Sequence, residues 1–276
     1  MSSSDRKTIL ITGATDGLGK LVAKQVAQEQ MKLLIHGRDR EKGNRVREEL
    51  IQVSGNKDIS YYNSDFASFD EVKTLADKIL SDHESIDILV NNVGIGSGKG
   101  ENKGIEYSID GNELRLQVNY LSHVLLTEKL LGIINKKNGV IINVASIGQE
   151  AIDFSNIMLE KGYDGYFAYK RSKSAMIMYS YDLADRLKNT GIRVNSLHPA
   201  SLMNTNMVLQ DWGYTLSTVE DGAKAVVNLL SPPATGQYFD GMHTAKSIPQ
   251  TYIRKEREML HKITWKILDR YLEHND

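Results

Sequence analysis

The sequence predicts an α/β fold, with a single doubly wound parallel sheet of about seven strands and helices on both faces. Short apolar strands alternate with helical patterns along the chain, a glycine-rich turn follows the first strand, and polar residues follow several later strands. Strands separated by helices pair in parallel through right-handed crossovers, which gives a doubly wound sheet. Since no linker divides the 276 residues, we expect a single domain over residues 1–276.

The composition excludes several classes of protein. Apolar residues make up 41% of the chain and the net charge is −1, as in a globular protein that does not bind nucleic acid. The absence of cysteine excludes disulfides, thiolate catalysis and cysteine-ligated zinc, and we expect no metal site. No apolar run approaches the roughly 20 residues that span a bilayer, so we expect no membrane span and a cytoplasmic location.

The first strand and helix enclose a glycine-rich turn. Residues 8–11 are apolar, residues 12–19 read TGATDGLG, and a helical pattern follows. Such a turn presents free N–H groups and the positive end of a helix dipole to a phosphate. Gly13, Gly17 and Gly19 suit a tight turn, close approach to a pyrophosphate and close packing of helix on strand. The spacing GxxxGxG differs from the standard GxGxxG, so a turn that binds nothing remains the alternative.

The second strand, residues 31–38, ends at Arg38, where a dinucleotide-binding domain selects its cofactor. An acid at this position binds a ribose hydroxyl. An arginine suits a 2′-phosphate, because its guanidinium donates two hydrogen bonds to one anion. The sequence therefore favours NADP(H) over NAD(H). The alternative is a solvated arginine that pairs with Asp39 or Glu41.

The third and fourth strands, residues 59–62 and 86–90, are each followed by polar residues. Asp65 suits either a contact with the adenine amino group or, with Ser64, a cap for a helix over residues 71–80. Residues 91–94 read NNVG, which fits a turn with positive φ or a backbone pressed against a ligand. Residues 94–104 are rich in glycine and polar residues, which predicts a mobile loop.

The second half of the sheet brings three further candidates to its edge. A long, mostly buried helix is predicted over residues 113–134, and Asn119 within it needs hydrogen-bond partners. The fifth strand, residues 139–144, delivers Ser146 to the edge where open α/β sheets bind ligands. A helix over residues 166–188 contains Tyr169 and Lys173. The remaining elements predicted are a sixth strand at residues 192–197, followed by Pro199, and a short seventh at 237–239.

A tyrosine and a lysine four residues apart share one face of a helix. An ammonium group near a phenol favours the phenolate and lowers the tyrosine pKa from about 10 toward neutrality, which makes a general acid or base. Tyr166 and Lys170 have the same spacing as Tyr169 and Lys173, so spacing alone does not choose between them. An ordinary helix surface is the alternative for both pairs.

Together these motifs resemble the short-chain dehydrogenases/reductases, over at least residues 8–205. The matching motifs are TGxxxGxG from Thr12, NNxG from Asn91, Asn119, Ser146, YxxSK from Tyr169, and Pro199. Ser172 and Ala175 also match the helix of the family and select Tyr169 over Tyr166. The length of the segment between Ser146 and Tyr169 is similar to that of the retinol-dehydrogenase-like, NADP-using branch.

The resemblance implies a Rossmann-type domain that transfers a hydride between NADP(H) and a carbonyl or secondary alcohol. Tyr169 would exchange the proton of the substrate oxygen, and Ser146 would hold that oxygen. Lys173 would bind the nicotinamide ribose and lower the pKa of Tyr169. Asn119 would hold a water that connects Lys173 to solvent.

The resemblance also implies a set of cofactor contacts, among them adenine at Asp65 and the nicotinamide carboxamide at Thr205. The expected cofactor-binding residues are Gly13, Thr15, Asp16, Gly17, Leu18, Gly19, Arg38, Asp65, Phe66, Asn92, Val93, Gly94, Tyr169, Lys173, Pro199, Ala200 and Thr205. Three positions depart from the family pattern. Val93 replaces an alanine, Ala200 replaces a glycine, and Asp16 stands where many NADP-preferring members carry a basic residue.

Beyond the family motifs, residues 201–218 are expected to form a substrate lid. Residues 250–273 predict a helix that packs on the domain, with a partner surface as the alternative. A dimer or tetramer is common in the family, and the oligomeric state is left open. Two other functions remain: a non-catalytic NADP-binding sensor or scaffold protein, and a sugar-nucleotide epimerase or dehydratase. The latter would need a larger C-terminal region than follows Thr205.

Overall fold

The computed structural model describes residues 6–98 and 104–272, and these contain one eight-stranded sheet with the strand order β3-β2-β1-β4-β5-β6-β7-β8. The strands are β1 Thr8–Ile11, β2 Lys32–Gly37, β3 Ile59–Asn63, β4 Ile88–Asn91, β5 Val140–Val144, β6 Arg193–His198, β7 Gln237–Asp240 and β8 His243–Ala245. Strands β1 to β7 pair in parallel, and β8 pairs antiparallel with β7 at the edge. The predicted doubly wound α/β fold is confirmed.

Helices cover both faces of the sheet. They are α1 Gly17–Gln28, α2 Arg40–Ser54, α3 Phe69–Asp82, α4 Leu114–Leu116, α5 Ser122–Leu130, α6 Gly165–Arg186, α7 Asn206–Trp212, α8 Val219–Asn228 and α9 Arg254–Leu268. Side chains alternate along β1, as the pleat of a strand requires. Leu10 packs in the layer that contains α3, α5, α6 and α9, whereas Ile9 and Ile11 pack in the layer that contains α1, α2 and α8. Strands covered on both faces read as continuous apolar runs, which is why the sequence shows them clearly.

The structure adds elements that the sequence pattern did not predict. Strand β8 has three residues, and its exposed side chains give no apolar signal. Helix α8 follows Thr218, which caps it in a capping box with Asp221. A threonine followed three residues later by an acid is a sequence signal for the start of a helix, so this helix could have been predicted. The long helix expected over residues 113–134 is present, but its middle turn, Gln117–Leu121, is a π-helix between α4 and α5.

The C-terminal helix α9 packs on α6. Leu260 is buried, the His261 ring stacks on Trp265 with 3.8 Å between centroids, and Arg257 pairs with Asp185 of α6 at 2.9 Å. Residue 273 of the expected range lies outside the described residues, as do residues 99–103 of the predicted mobile loop. Within residues 6–98 and 104–272, no helix combines the length and apolar character needed to cross a membrane. The cytoplasmic location stays a prediction.

Candidate active site

The glycine-rich turn after β1 has the geometry that its glycines predict. Gly13 and Gly17 have φ of +64° and +45°, in the left-handed region that side chains disfavour. A Cβ on Gly19 would lie 2.2 Å from the Gly13 carbonyl oxygen, so only glycine fits there. The Asn92 amide donates to the carbonyl oxygens of Thr12 at 2.9 Å and Gly13 at 3.1 Å. The loop after β4 therefore holds the turn in place.

His36, on β2, supports the same turn and was not singled out from the sequence. Burial lowers the pKa of His36 to about 4, so its imidazole is neutral at neutral pH. Its Nδ1 accepts from the Gly13 N–H at 3.3 Å, and its Nε2 lies 3.0 Å from the Ser64 carbonyl oxygen. Val93 packs against Gly13, with its Cγ2 3.2 Å from where a Cβ would be. The valine at position 93, which is larger than the alanine of the family pattern, is accommodated because Gly13 has no side chain.

Asp16 caps helix α1 and is paired with a lysine that the sequence analysis did not identify. One carboxylate oxygen accepts from the Gly17 N–H at 2.8 Å, and the other accepts from Lys42 Nζ at 2.6 Å and Asn206 Nδ2 at 3.3 Å. The hydrogen bond from Lys42 lowers the pKa of Asp16. The Asp16 carboxylate is therefore ionised, and the charge of Lys42 balances it. The acid at this position is balanced by a cation 26 residues further along the chain.

Arg38 is exposed at the end of β2, and no hydrogen bond or ion pair involves it within the described part of the chain. Its neighbours have other partners: Asp39 caps α2 by accepting from the Lys42 N–H at 2.9 Å, and Glu41 lies 3.9 Å from Arg45. The alternative in which Asp39 or Glu41 holds Arg38 is therefore not what the structure shows. The exposed guanidinium belongs to the residue directly after β2, and its donors are available for an anion.

Asp65 does not cap helix α3. Ser68 is the cap, and its Oγ accepts from the Glu71 N–H at 3.3 Å, so the helix begins at Phe69 rather than near residue 71. Asp65 accepts from the Ala67 N–H at 2.9 Å within its own loop. The Phe66 ring is buried, with centroids 4.9 Å from the rings of both His36 and His123. Because the ring is buried, Phe66 could contact a cofactor only through its main-chain atoms.

Ser146, Tyr169 and Lys173 meet at the carboxyl edge of β5. The Ser146 hydroxyl accepts from the Gly148 N–H at 3.0 Å, and a Cβ on Gly148 would lie 3.4 Å from Ser146 Oγ and 3.8 Å from the Tyr169 ring. Lys173 is 5% exposed, donates to the Val144 carbonyl oxygen at 3.1 Å, and lies 5.8 Å from the Tyr169 ring centroid. Gly94 borders the group, since a Cβ there would lie 3.4 Å from Lys173 Nζ. The structure thus brings the predicted catalytic residues together.

The ionisation of Tyr169 differs from the expectation. Burial raises the pKa of the Tyr169 phenol, and the nearby Ser146 hydroxyl offsets only part of that rise. Burial also lowers the pKa of Lys173 to about 8. The predicted net fall of the Tyr169 pKa is therefore wrong for the protein chain itself, because desolvation of the phenol outweighs the effect of Lys173, whose ammonium bonds to a main-chain oxygen. At neutral pH Tyr169 is a neutral phenol, which is a proton donor.

Asn119 lies in the π-helical turn and all its amide groups have partners. Its Oδ1 accepts from the Ile95 N–H at 2.8 Å, and its Nδ2 donates to the Ile95 carbonyl oxygen at 3.1 Å and to Ser172 Oγ at 3.0 Å. Ser172 in turn donates to the Tyr169 carbonyl oxygen at 2.6 Å. The side chain of Asn119 therefore joins the loop after β4 to the helix of Tyr169. π-helical turns are frequent at functional sites.

The segment after β6 closes the site on its remaining side. Within residues 199–205, the left-handed φ of +44° falls on Leu202, so alanine at position 200 is not strained. The Thr205 hydroxyl caps α7 by accepting from the Val208 N–H at 3.3 Å, and its methyl group lies against Gly17. Residues 199–205 thus reach the glycine-rich turn, although the Thr205 hydroxyl is engaged by its own helix.

The carboxyl edge of β1, β4, β5 and β6 therefore combines an anion-binding turn with paired hydroxyl groups and a buried lysine. Such a turn at this edge of a doubly wound sheet defines a dinucleotide-binding domain, and the hydroxyl pair adds a group for proton exchange. No cluster of three or more histidines, aspartates or glutamates that could hold a metal ion occurs among residues 6–98 and 104–272. The fold and site together are those expected of an α/β enzyme that binds a dinucleotide.

Comparison with known proteins assigns the family. A family model described as short chain dehydrogenase matches residues 7–212. Human retinol dehydrogenase 11 is 32% identical over 256 residues, covering 87% of this chain and 78% of the relative. Human retinol dehydrogenase 14 is 30% identical over 278 residues, covering 88% and 81%. A solved structure from Mycobacterium paratuberculosis, described as a putative uncharacterized protein, has a TM-score of 0.79 at 20% identity, covering 98% of this chain and 97% of that one. The chain belongs to the short-chain dehydrogenase family, and it is an oxidoreductase of the retinol-dehydrogenase-like kind.

Proposed function

We propose that this oxidoreductase uses NADP(H) to transfer a hydride between nicotinamide and a carbonyl or secondary alcohol, with Tyr169 as the general acid and base. The supporting observation is that the Ser146 hydroxyl and the Tyr169 ring meet beside Gly148, with the buried Lys173 ammonium 5.8 Å from the centroid of that ring. Two hydroxyl donors fixed at one point are suited to a carbonyl oxygen that gains negative charge. The cofactor, when bound, supplies or accepts the hydride.

In the direction of carbonyl reduction, the Ser146 hydroxyl holds the substrate oxygen and Tyr169 donates its phenolic proton to that oxygen. The raised pKa of Tyr169 keeps this proton in place at neutral pH. Lys173 is protonated below about pH 8, and its charge stabilises the phenolate that the donation leaves behind. In the direction of alcohol oxidation the same phenolate removes the hydroxyl proton.

The preference for NADP(H) rests on two cations beside the glycine-rich turn. Arg38 has its guanidinium exposed at the end of β2, and Lys42 balances the carboxylate of Asp16 at 2.6 Å. An uncompensated acid next to a 2′-phosphate would repel it, whereas the ion pair lowers the net negative charge at that point. The departure at position 16 therefore does not oppose the preference.

We propose that α7, within residues 201–218, covers the bound substrate. Its first residue, Asn206, donates to Asp16, and Asp211 accepts from the Ser97 N–H at 2.7 Å and from the Ser97 hydroxyl at 3.0 Å. Trp212 meets the Tyr166 ring edge-on, with 5.7 Å between centroids. These contacts tie the short helix to the cofactor turn, to the loop after β4 and to α6, on three sides of the site.

The function is tested by the variant Tyr169→Phe. Wild type is expected to oxidise NADPH in the presence of at least one member of a carbonyl panel that includes retinal, because two relatives that are 32% and 30% identical are named retinol dehydrogenases. Tyr169→Phe should bind NADPH with unchanged affinity and lose at least 100-fold in kcat, in line with general acid catalysis (about 10² to 10⁴). Tyr166→Phe, which keeps the ring against Trp212, is the matched control and should retain turnover.

The same experiment separates the alternatives. A sensor or scaffold protein would bind NADPH without consuming it, and an epimerase or dehydratase would convert a sugar nucleotide with no net change of cofactor. Substantial turnover by Tyr169→Phe would contradict the role of proton donor. Product identification by mass spectrometry then gives the alcohol or carbonyl formed.

A further inference from the structure

The main-chain carbonyl oxygen of Ser146 accepts two side-chain hydrogen bonds. The Tyr238 phenol donates to it at 3.0 Å, and the Gln149 amide donates at 3.0 Å. Ser146 and Tyr238 are 8% and 2% exposed, so the bond between them is buried, while the bond from Gln149 is partly buried. A carbonyl oxygen has two lone pairs, and both are occupied here. The peptide plane that follows Ser146 is consequently fixed.

The two donors come from different parts of the fold. Tyr238 lies on β7, 92 residues from Ser146, while Gln149 belongs to the loop that follows Ser146. The side-chain oxygen Oε1 of Gln149 also accepts from the Ile248 N–H at 3.0 Å, beyond β8. Ser146 is therefore attached to the β7 and β8 edge of the sheet.

We infer that Gln149 and Tyr238 are positioning residues that orient the Ser146 hydroxyl toward the Tyr169 phenol. With the peptide plane fixed, the Gly148 N–H donates to Ser146 Oγ at 3.0 Å, so the serine oxygen accepts on one side. The hydroxyl proton is then directed to the remaining partner, which is the Tyr169 oxygen or the substrate oxygen. Groups that are preorganised in this way need no rearrangement when charge develops.

This inference rests on the proposed function, and it is tested with Tyr238→Phe and Gln149→Met. Each variant removes one donor and keeps the size of the side chain. We expect kcat to fall about tenfold in each, the range of one hydrogen bond, with unchanged dissociation constants for NADPH. An effect confined to the KM of the carbonyl substrate would overturn the inference, because both side chains also line an open cavity of about 200 Å³ beside Ile147.

Matched controls are available in the same region. The Tyr252 phenol bonds with Tyr181 and Ser247, and the Gln250 amide bridges Ile152 to the C-terminal segment, without contact to Ser146. Tyr252→Phe and Gln250→Met are expected to change kcat by less than twofold. Losses equal to those of Tyr238→Phe and Gln149→Met would show a general loosening of the segment and would refute a specific positioning role.

A double-mutant cycle adds a second readout. In the Ser146→Ala background, Tyr238→Phe should have no further effect on kcat, since its target hydroxyl is absent. Full additivity would overturn the inference.

A third readout is independent of turnover. Amide hydrogen exchange at Gly148 should be faster in Tyr238→Phe and Gln149→Met than in wild type or the controls. If no carbonyl is reduced by wild type, the proposed function fails while the exchange result still decides whether Gln149 and Tyr238 fix Ser146.

Discussion

Replacing the buried Lys173 with methionine is expected to stabilise the fold at neutral pH and to abolish activity. Lys173 is 5% exposed and its ammonium has one hydrogen-bond partner among the described residues, the Val144 carbonyl oxygen. Burial lowers its pKa from 10.5 to about 8, which means that the folded state holds the charged lysine at a cost. Each pKa unit corresponds to about 1.4 kcal/mol, so the cost is about 3 kcal/mol.

Methionine has a similar length and no charge to desolvate, but it leaves the Val144 carbonyl oxygen without its donor. That loss costs about 1 kcal/mol, so Lys173→Met should be more stable than wild type by about 2 kcal/mol at pH 7. For a domain of this size the melting temperature should rise by about 5 °C. The group needed for catalysis is thus expected to lower the stability of the fold.

The pH dependence gives a sharper test. Below pH 8 the lysine is protonated in the folded and unfolded states, so the full cost is present. Between pH 8 and 10.5 the unfolded state binds more protons, and the stability of wild type rises with pH. The advantage of Lys173→Met should therefore shrink through this window and reverse near its upper end, where only the lost hydrogen bond of about 1 kcal/mol remains.

Urea unfolding of wild type, Lys173→Met and Lys170→Met from pH 6.5 to 10.5 measures these differences. Lys170 is on the same helix, with its side chain 21% exposed and 4.0 Å from Glu150, so its replacement should give no gain in stability. A Lys173→Met protein that is less stable at pH 7, or a difference that does not vary with pH, would refute the reasoning.

Two further predictions concern the cofactor. Wild type should bind NADPH at least about tenfold more tightly than NADH in fluorescence titrations, and Arg38→Asp should reverse the order, since a bidentate contact to phosphate becomes a repulsion. Arg45→Asp, an exposed change on α2, is the control, and equal affinities in wild type would contradict the argument. Gly19→Ala should weaken NADPH binding by at least about tenfold, because its Cβ would lie 2.2 Å from the Gly13 carbonyl oxygen. Gly132→Ala, where a Cβ meets nothing within 4 Å, should bind as wild type does.

The sequence by itself determined the order of the elements and the residues at the edge of the sheet. Strands buried on both faces appear as apolar runs, and helices appear through their periodicity, because both signals depend on neighbours along the chain. The turn at residues 12–19 and the positions of Ser146, Tyr169 and Lys173 follow from the same local patterns and from their family order. Strand β8 was not predicted, because it has only three residues and two of its side chains are exposed.

Only the tertiary structure decided which distant groups meet and how they ionise. Lys42 balances Asp16, Asn119 joins Ile95 to Ser172, and Tyr238 holds Ser146 across 92 residues. The pKa of Tyr169 is raised, whereas the sequence predicted a lowered value. Desolvation of the phenol outweighs the effect of Lys173, whose ammonium bonds to the Val144 carbonyl oxygen. Spacing along a helix gives the neighbours of a side chain, whereas its burial and its long-range partners are set by the packing of the whole sheet.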